Sequence, residues 1–148
     1  MMISVCMATY NGARFVGAQL KSILDQLGSN DEVIVVDDHS TDETVAVIDQ
    51  FKDSRIKLIE NTTNHGPIYG FMTALNYAKG DYLFLSDQDD VWFPNKVTRV
   101  MTAFEKEKAV VVVHDGIVTD QSLSRVDDSW NHFSHRVPSQ SMIKTLIK

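Results

Sequence analysis

The feature that most constrains the fold is an alternation of two kinds of segment along the first 114 residues. Short apolar runs rich in β-branched residues alternate with longer segments whose apolar residues recur at helical spacing. The runs lie at residues 2–8, 32–36, 55–60, 81–86 and 109–114. Strands that alternate with helices form parallel sheets, because each crossover returns the chain to the same end of the sheet. The sequence therefore predicts an α/β fold with a mostly parallel five-stranded sheet and helices on both faces.

The segments between the runs predict four helices, which start near Ala13, Ser40, Pro67 and Pro94. Ser40 and Glu43 have the spacing of a capping box, so Ser40 is expected to cap the second helix. The third helix is expected to end at Gly80. The residues of this helix expected to face the sheet are Ile68, Phe71, Met72, Leu75 and Ala78.

Composition indicates one globular domain and excludes several functions. The 148 residues are 43% hydrophobic, which is enough for a core, and the net charge of −6 argues against a nucleic-acid partner and against adsorption to anionic membranes. Cys6 is the one cysteine and lies in an apolar run, so it is expected to be a buried thiol in a reducing compartment. The N-terminal residues lack the pattern of a signal peptide, and no apolar run is long enough to span a membrane.

Polar residues follow the predicted strands at the points where these strands end. Ligands of open α/β sheets bind beyond the carboxyl ends of the strands, so this edge is the expected site. The residues placed there are Thr9, Tyr10, Asn11, Asp37, Asp38, His39, Asn64, His65, Gly66 and the segment 86–90.

The fourth strand ends in LFLSDQDDVWFP, which places Asp87, Asp89 and Asp90 within four positions. Clustered carboxylates tolerate one another around a divalent cation, and Mg²⁺ or Mn²⁺ commonly takes one or two carboxylates together with substrate phosphates. The other interpretation is that the acids form the N-cap and first turn of the helix near Pro94. Capping would account for Asp90 but not for all three acids. We therefore expect a cation and a diphosphate at this edge, and Trp92 and Phe93 to pack between strand and helix.

Asp37 and Asp38 follow the second strand, and with Ser40 as helix cap one of them is available for a ligand. Asp38 is suited to accept hydrogen bonds from a nucleobase imide or a ribose. Tyr10 could stack on a base or be a packed aromatic residue, and both interpretations stay open. The sequence has neither G-x-G-x-x-G nor G-x-x-x-x-G-K-[ST], so two other types of nucleotide-binding loop are excluded.

These motifs resemble a known family. The segments SVCMATYNGARFVGAQLKSIL, EVIVVDDHSTDET, NHG and AKGDYLFLSDQDDVWFPNKV resemble, in order and spacing, the N-terminal half of family-2 inverting glycosyltransferases of the GT-A fold. The resemblance covers residues 2–120. The segment SDQDDVW is similar to the branch of bacterial rhamnosyltransferase-like enzymes, which build surface polysaccharides.

The resemblance implies a role for each matching position. Tyr10 would lie against the base and Asp38 would bind a pyrimidine. Asp87, Gln88 and Asp89 would form the D-x-D motif, with Asp87 and Asp89 as ligands of Mn²⁺ or Mg²⁺. The residues implied to bind the nucleotide are Ala8, Thr9, Tyr10, Asp38, Asn64, Gly66, Asp87 and Gln88.

The implied reaction transfers a sugar from a UDP- or dTDP-sugar to a glycan or lipid-linked acceptor, with metal assistance and inversion. The family's catalytic base lies in the C-terminal half, so no residue of this chain is assigned that role, and Asp115 and Asp120 are expected to be structural or near the substrate. Residues 1–120 would bind the donor, and residues 121–148 would begin an incomplete acceptor-side region of a longer enzyme. The implied location is the cytoplasm, at the inner face of the membrane.

Two other functions remain open. A nucleotidyltransferase that makes sugar nucleotides would share the metal and the nucleotide, but such enzymes usually carry a Gly-rich basic loop after the first strand, where this sequence has TYNGAR. A non-catalytic nucleotide-binding module would need no catalytic base. A receiver domain is disfavoured, because its acidic pair follows the first strand and not the second.

Overall fold

The structure is a computed structural model that describes residues 1–120, 122–133 and 146–147. The chain forms two compact units, residues 1–94 and 95–148. The expected division at residue 120, between a donor-binding region and an acceptor-side region, concerns function and stays a prediction.

The first unit is a parallel sheet of four strands in the order β3-β2-β1-β4. Its strands and helices follow the predicted alternation, and the mostly parallel α/β fold is thereby confirmed. In chain order they are β1 Ile3–Thr9, α1 Val16–Leu24, β2 Glu32–Asp37, α2 Thr44–Asp49, β3 Ile56–Glu60, α3 Pro67–Tyr77 and β4 Tyr82–Ser86.

The two central strands, β1 and β2, are buried on both faces, as their continuous apolar runs predict. Cys6 is fully buried in β1, as expected, where burial and then the charge of Glu32 raise the pKa of its thiol to about 11. On this face of the sheet Cys6, Ile34, Val36 and Ala74 form a hydrophobic cluster.

Helix α3 covers that face through its smallest side chains. Gly70 and Ala74 are buried, and a Cβ atom on Gly70 would lie 2.9 Å from the Cβ of Ala8. The prediction that Ile68 and Met72 face the sheet is wrong, since these side chains are 80% and 54% exposed. The helix turns its small residues inward because they allow a closer approach to the sheet than the long apolar residues would. It ends at Tyr77, before Gly80.

Helix α1 packs on the opposite face of the sheet. Ser86 lies beside Met7 in the register, on the face opposite Ala8, and it accepts a hydrogen bond from the buried side chain of Gln19 in α1. Trp92 is buried, lies 5.6 Å from Phe84 between ring centroids, and donates its backbone N–H to Ser22. Helices therefore cover both faces of the sheet, and the packing role expected for Trp92 is confirmed. The same expectation for Phe93 is wrong, since its side chain is 57% exposed.

The capping box predicted for the second helix is wrong. Helix α2 begins at Thr44, its N-cap is Glu43, and the side chain of Glu43 makes no cap hydrogen bond. Ser40 instead donates its hydroxyl and its backbone N–H to the carboxylate of Asp37, at 2.6 and 2.9 Å. The side chain of Ser40 thus stabilises the turn after β2.

The second unit consists of α4 Lys96–Glu107, β5 Val113–His114, β6 Val118–Thr119, β7 Arg125–Asp127, α5 Trp130–Phe133 and β8 Leu146–Ile147. The strands form two small sheets, β5 parallel to β8 and β6 antiparallel to β7. The described part of the chain contains no helix that combines the length and the apolar character needed to cross a membrane.

The predicted fifth strand at 109–114 is wrong in its extent and in its partner. Only Val113–His114 is a strand, and it pairs with β8 and not with the four-stranded sheet. Val110 and Val111 are 93% and 68% exposed. β-branched residues favour extended backbone, but a strand also requires a hydrogen-bonding neighbour, which local composition does not specify. The amphipathic pattern of residues 141–148 is typical of the start of a helix. These residues lie outside the described part of the chain, apart from Leu146–Ile147, which is a strand.

Candidate functional site

The register of the sheet brings the ends of its four strands to one edge of the first unit. Thr9 at the end of β1 lies beside Asp37 at the end of β2, and Asp37 lies beside Glu60 at the end of β3. On the other side of β1, Met7 lies beside Ser86, the last residue of β4. The loops that follow these strands therefore start from one edge, and every residue predicted for the site belongs to the end of a strand or to these loops.

At the end of β1 the ring of Tyr10 is exposed, whereas the residues before it are buried or half-buried. Tyr10 is 47% exposed, whereas Thr9 is buried and donates its hydroxyl to Asp37 at 3.2 Å. Ala8 is half-buried beneath Gly70. Of the three residues expected to line a base and ribose pocket, Tyr10 presents its side chain most openly, while Thr9 and Ala8 support the backbone below it.

A polar network that the sequence did not reveal joins the loop after β1 to the loop after β2. Asn11 has φ 48°, donates its backbone N–H to Ser40 at 2.9 Å, and accepts the backbone N–H of Thr41 at 2.8 Å. Gly12 donates its N–H to the hydroxyl of Thr44 at 2.8 Å. These contacts fix both loops at the site, and only the register of the two strands brings their residues together.

Asp38 is 3% exposed, and its carboxylate organises the loop between β3 and α3. It accepts hydrogen bonds from the side chain of Asn61 at 2.8 Å, from the N–H of His65 at 2.9 Å and from the N–H of Gly66 at 2.6 Å. Burial by itself would raise the pKa of Asp38, but these hydrogen bonds outweigh it and hold the pKa below its ordinary value. Asp38 is therefore ionised at neutral pH.

The N–H of His65 lies 2.9 Å from both Oδ1 and Oδ2, so each oxygen of the Asp38 carboxylate accepts two hydrogen bonds. Asn61 was missed in the sequence, because nothing in its local pattern points to a residue 23 positions earlier. In the same loop Gly66 has φ 87°, a conformation that favours glycine, and it forms the N-cap of α3. Asn64 is exposed, and the ring of His65 lies 4.4 Å from that of Tyr69, a second residue that the sequence did not indicate.

The acidic segment after β4 is exposed at Asp87, Asp89 and Asp90. Helix α4 begins at Lys96 with Asn95 as its N-cap, and its first turn, which the structure describes completely, holds no acidic residue. The interpretation of these acids as a helix cap and first turn is therefore excluded.

Gln88 lies between the acids, is half-buried, and points back to β1. Its Oε1 accepts the backbone N–H of Tyr10 at 2.9 Å, and its Nε2 donates to the carbonyl of Tyr10 at 3.2 Å. The loop after β4 is thus attached to the loop after β1.

The carboxylates at this edge fit a divalent cation that takes most of its ligands from phosphates and water. Among the residues that the structure describes, no three His, Cys, Asp or Glu side chains lie close enough together to hold a metal ion. Asp87 and Asp89 would supply carboxylate oxygens, and Mg²⁺ or Mn²⁺ bound in this way takes its other ligands from phosphates and water. The edge suits a metal–diphosphate complex better than a metal ion alone.

Asp115 and Asp120 lie in the second unit, and both accept hydrogen bonds within it. Asp115 accepts hydrogen bonds from Ser129, from the N–H of Gly116 and from the N–H of Asn131. Asp120 accepts from Ser122 and Ser124, and these bonds lower its pKa. The contacts support a structural role for both carboxylates.

Comparison with known proteins places these observations in a family. The sequence matches the model of the family described as Glycosyl transferase family 2 over residues 4–146. One curated relative is the Escherichia coli protein WfgD, a UDP-Glc:α-D-GlcNAc-diphosphoundecaprenol β-1,3-glucosyltransferase, which is 38% identical over 96 residues. That match covers 65% of this chain and 38% of the relative, so the chain spans well under half of that protein's length.

Two solved structures share the fold. Staphylococcus aureus TarS in complex with UDP-GlcNAc superposes with a TM-score of 0.72 at 27% identity, over 77% of this chain and 34% of TarS. The mannosyltransferase PcManGT from Pyrobaculum calidifontis, solved with GDP-Man and Mn²⁺, superposes with a TM-score of 0.68 at 26% identity, over 80% of this chain and 35% of that protein. The GT-A-like fold is thereby confirmed.

Proposed function

Because this chain belongs to glycosyl transferase family 2, we propose that its first unit binds the nucleotide-sugar donor of a glycosyltransferase. The observation that carries this proposal is the convergence of Tyr10, Asp38, Asp87 and Asp89 at one edge of the sheet. An exposed aromatic ring, an ionised carboxylate and an acidic segment suit the base, the ribose and the diphosphate of such a donor.

The donor carries UDP or dTDP in this proposal. Tyr10 contacts the base, and Asp38 accepts the imide N–H of the pyrimidine, which uracil and thymine both present. Asn64, Gly66 and the backbone at Ala8 and Thr9 surround the nucleoside. UDP is favoured because WfgD is named as using UDP-Glc and TarS was solved with UDP-GlcNAc.

Asp87 and Asp89 would hold Mn²⁺ or Mg²⁺ together with the diphosphate, with Asp89 as the direct ligand and Asp87 shared between ribose and metal. When bound, the ion neutralises the charge that develops on the departing nucleoside diphosphate. The presence of Mn²⁺ beside GDP-Man in the PcManGT complex supports this choice of cofactor.

The reaction is a displacement at the anomeric carbon of the sugar. An acceptor hydroxyl oxygen forms the new bond while the bond to the diphosphate oxygen breaks, and the hydroxyl proton passes to a carboxylate base, which gives inversion. None of the described residues is assigned as that base. The acceptor is a glycan or a lipid-linked glycan, in line with the diphosphoundecaprenol in the name of WfgD, and a lipid-linked acceptor would place the reaction at the cytoplasmic face of a membrane.

The finer specificity stays a prediction. The segment Ser86–Trp92 suggested the rhamnosyltransferase-like branch, whereas WfgD is named a glucosyltransferase. Family membership favours transfer over the nucleotidyltransferase alternative.

A thermal-shift series tests the donor site. The chain is heated with UDP, dTDP or GDP, each with Mn²⁺ or with a chelator, beside the variants Asp89→Asn and Asp49→Asn. Asp49 is an exposed acid at the far end of α2, so its variant controls for the loss of one charge. A ligand at about 100 times its Kd stabilises by about 2.7 kcal/mol, which raises the Tm by several degrees.

We expect UDP or dTDP to raise the Tm of the unaltered chain and of Asp49→Asn only with Mn²⁺, and not to raise that of Asp89→Asn. A folded chain whose Tm does not respond to any nucleotide would contradict the proposed donor site.

A further inference from the structure

Gln88 satisfies both polar groups of the backbone of Tyr10. The N–H of Tyr10 donates to Oε1 and the carbonyl of Tyr10 accepts from Nε2, at 2.9 and 3.2 Å. A single amide side chain thus replaces the neighbouring strand that β1 no longer has at this point, since β4 ends at Ser86. The pairing uses the Gln88 oxygen and one N–H, so little of the amide remains for a ligand.

The pairing joins the two loops that carry the functional side chains. Tyr10 is the exposed ring expected at the base, and Gln88 lies between Asp87 and Asp89, the carboxylates expected at the metal. The backbone that carries the ring is therefore held against the backbone that carries the acids.

Gly12 leaves the space that this pairing needs. A Cβ atom at Gly12 would lie 2.2 Å from Oε1 of Gln88 and 2.5 Å from its Cδ, so any larger residue would displace the amide. Gly12 cannot easily move away, because its N–H is bonded to Thr44 and its carbonyl accepts the N–H groups of Phe15 and Val16.

We propose that Gln88 is a positioning residue that holds Tyr10 at a fixed separation from the acidic segment 87–90 and does not itself contact the nucleotide. The proposal rests on the proposed function for what the two loops bind. The pairing itself can be tested without any ligand.

The first test measures amide hydrogen exchange by NMR in the ligand-free chain and in Gln88→Met, Gly12→Ala and the double variant. Gln88→Met keeps the length of the side chain but removes both hydrogen bonds. Gln50→Met changes an exposed glutamine at the end of α2, and Gly28→Ala adds a Cβ whose nearest neighbour would lie 3.4 Å away, so both serve as controls.

We expect the Tyr10 amide to exchange at least about fivefold faster in Gln88→Met and in Gly12→Ala, which corresponds to the loss of one hydrogen bond. The double variant should exchange no faster than Gln88→Met, because the clash at Gly12 acts only through Gln88. The Gly12 amide, bonded to Thr44, should keep its rate in Gln88→Met. Equal Tyr10 rates in the unaltered chain and in Gln88→Met would overturn the proposal.

The second test measures calorimetrically the Kd of UDP with Mn²⁺ and of uridine without metal. We expect both ligands to bind Gln88→Met more weakly, UDP about tenfold, because uridine needs the position of Tyr10 and the diphosphate needs that of the acids relative to it. Weaker UDP binding with an unchanged Tyr10 exchange rate would mean that Gln88 contacts the nucleotide directly, which contradicts a positioning role. If the unaltered chain binds no nucleotide, the proposed function fails, and the exchange experiment still decides the pairing.

Discussion

Single charged side chains, each placed by the register of the sheet, hold the loops of the first unit. The carboxylate of Asp38 accepts hydrogen bonds from the loop between β3 and α3. Arg55 likewise holds neighbouring backbone by hydrogen bonds at the opposite edge of the sheet. Its guanidinium donates to the carbonyl of Leu24 at the end of α1 and to that of Leu27 beyond it, and pairs with Asp53 at 2.7 Å. The hydrogen bonds from Arg55 lower the pKa of Asp53 from 3.8 to about 2.

The lowered pKa of Asp53 predicts that the free energy of unfolding depends on pH. Because the pKa of Asp53 is lower in the folded chain than in the unfolded chain, its contribution is present above about pH 4 and is lost as the pH falls through about 2. We expect Asp53→Asn to lower the free energy of unfolding by about 1 kcal/mol at pH 7, after allowance for solvent screening. Urea unfolding at pH 7, 4 and 2 measures the difference, which should shrink toward pH 2.

Asp25→Asn is the matched control, since Asp25 pairs with Lys21 on the exposed surface of α1 and should contribute less than about 0.5 kcal/mol. A difference between Asp53→Asn and the unaltered chain that stays constant from pH 7 to pH 2 would contradict the assigned pKa.

At the scale of elements, the first unit depends on two close approaches of backbone that only glycine permits. Gly70 lets α3 approach Ala8, and Gly80 lets the turn before β4 approach β1. At Gly80 the N–H donates to the hydroxyl of Ser4 at 2.8 Å, and a Cβ would lie 2.5 Å from the backbone nitrogen of Ser4.

Gly80→Ala should therefore destabilise the chain. Two of the three nearest atoms, the nitrogen of Ser4 and the carbonyl carbon of Ile3, are backbone and cannot rotate away. We therefore expect a loss of about 1–3 kcal/mol in the free energy of unfolding. Denaturant unfolding measures the change in the free energy of unfolding. Gly28→Ala is the control, because its added Cβ would meet only an ordinary contact at 3.4 Å. Equal midpoints for the two variants would show that the turn can relax, contrary to the structure.

The elements also show where sequence reasoning succeeds. The four parallel strands and their helices follow from the spacing of apolar residues, because burial on both faces leaves a strong pattern. The inward face of α3 does not, since Gly70 acts through a contact with the distant strand β1. The start of α2 does not either, since the hydroxyl of Ser40 bonds Asp37 and the backbone N–H of the distant Asn11 and does not cap the helix. The strand predicted at 109–114 failed for the same reason, because its partner is β8 and not the main sheet.

At the scale of the whole molecule, the first unit holds every residue predicted to bind the donor. Their approximate location followed from the sequence, because the carboxyl ends of parallel strands share one edge. The contacts among them did not, since the partners of Asp38 and Gln88 are set by register and lie 23 to 78 residues away. The sequence pattern predicts where the site lies, and the structure adds which side chains hold its loops.

The most direct test of the donor site is the effect of Mn²⁺ on the NMR spectrum of the ¹⁵N-labelled chain in the presence of UDP. Bound Mn²⁺ broadens nearby amide signals, and the same titration with Mg²⁺ is the diamagnetic control. We expect signals of residues 87–90 and 8–11 to broaden when UDP is present, while those around Asp31 and Asp53, at the opposite edge, keep their width. Unchanged signals at 87–90, or equal broadening around Asp31 and Asp53, would contradict a metal–diphosphate site at this edge.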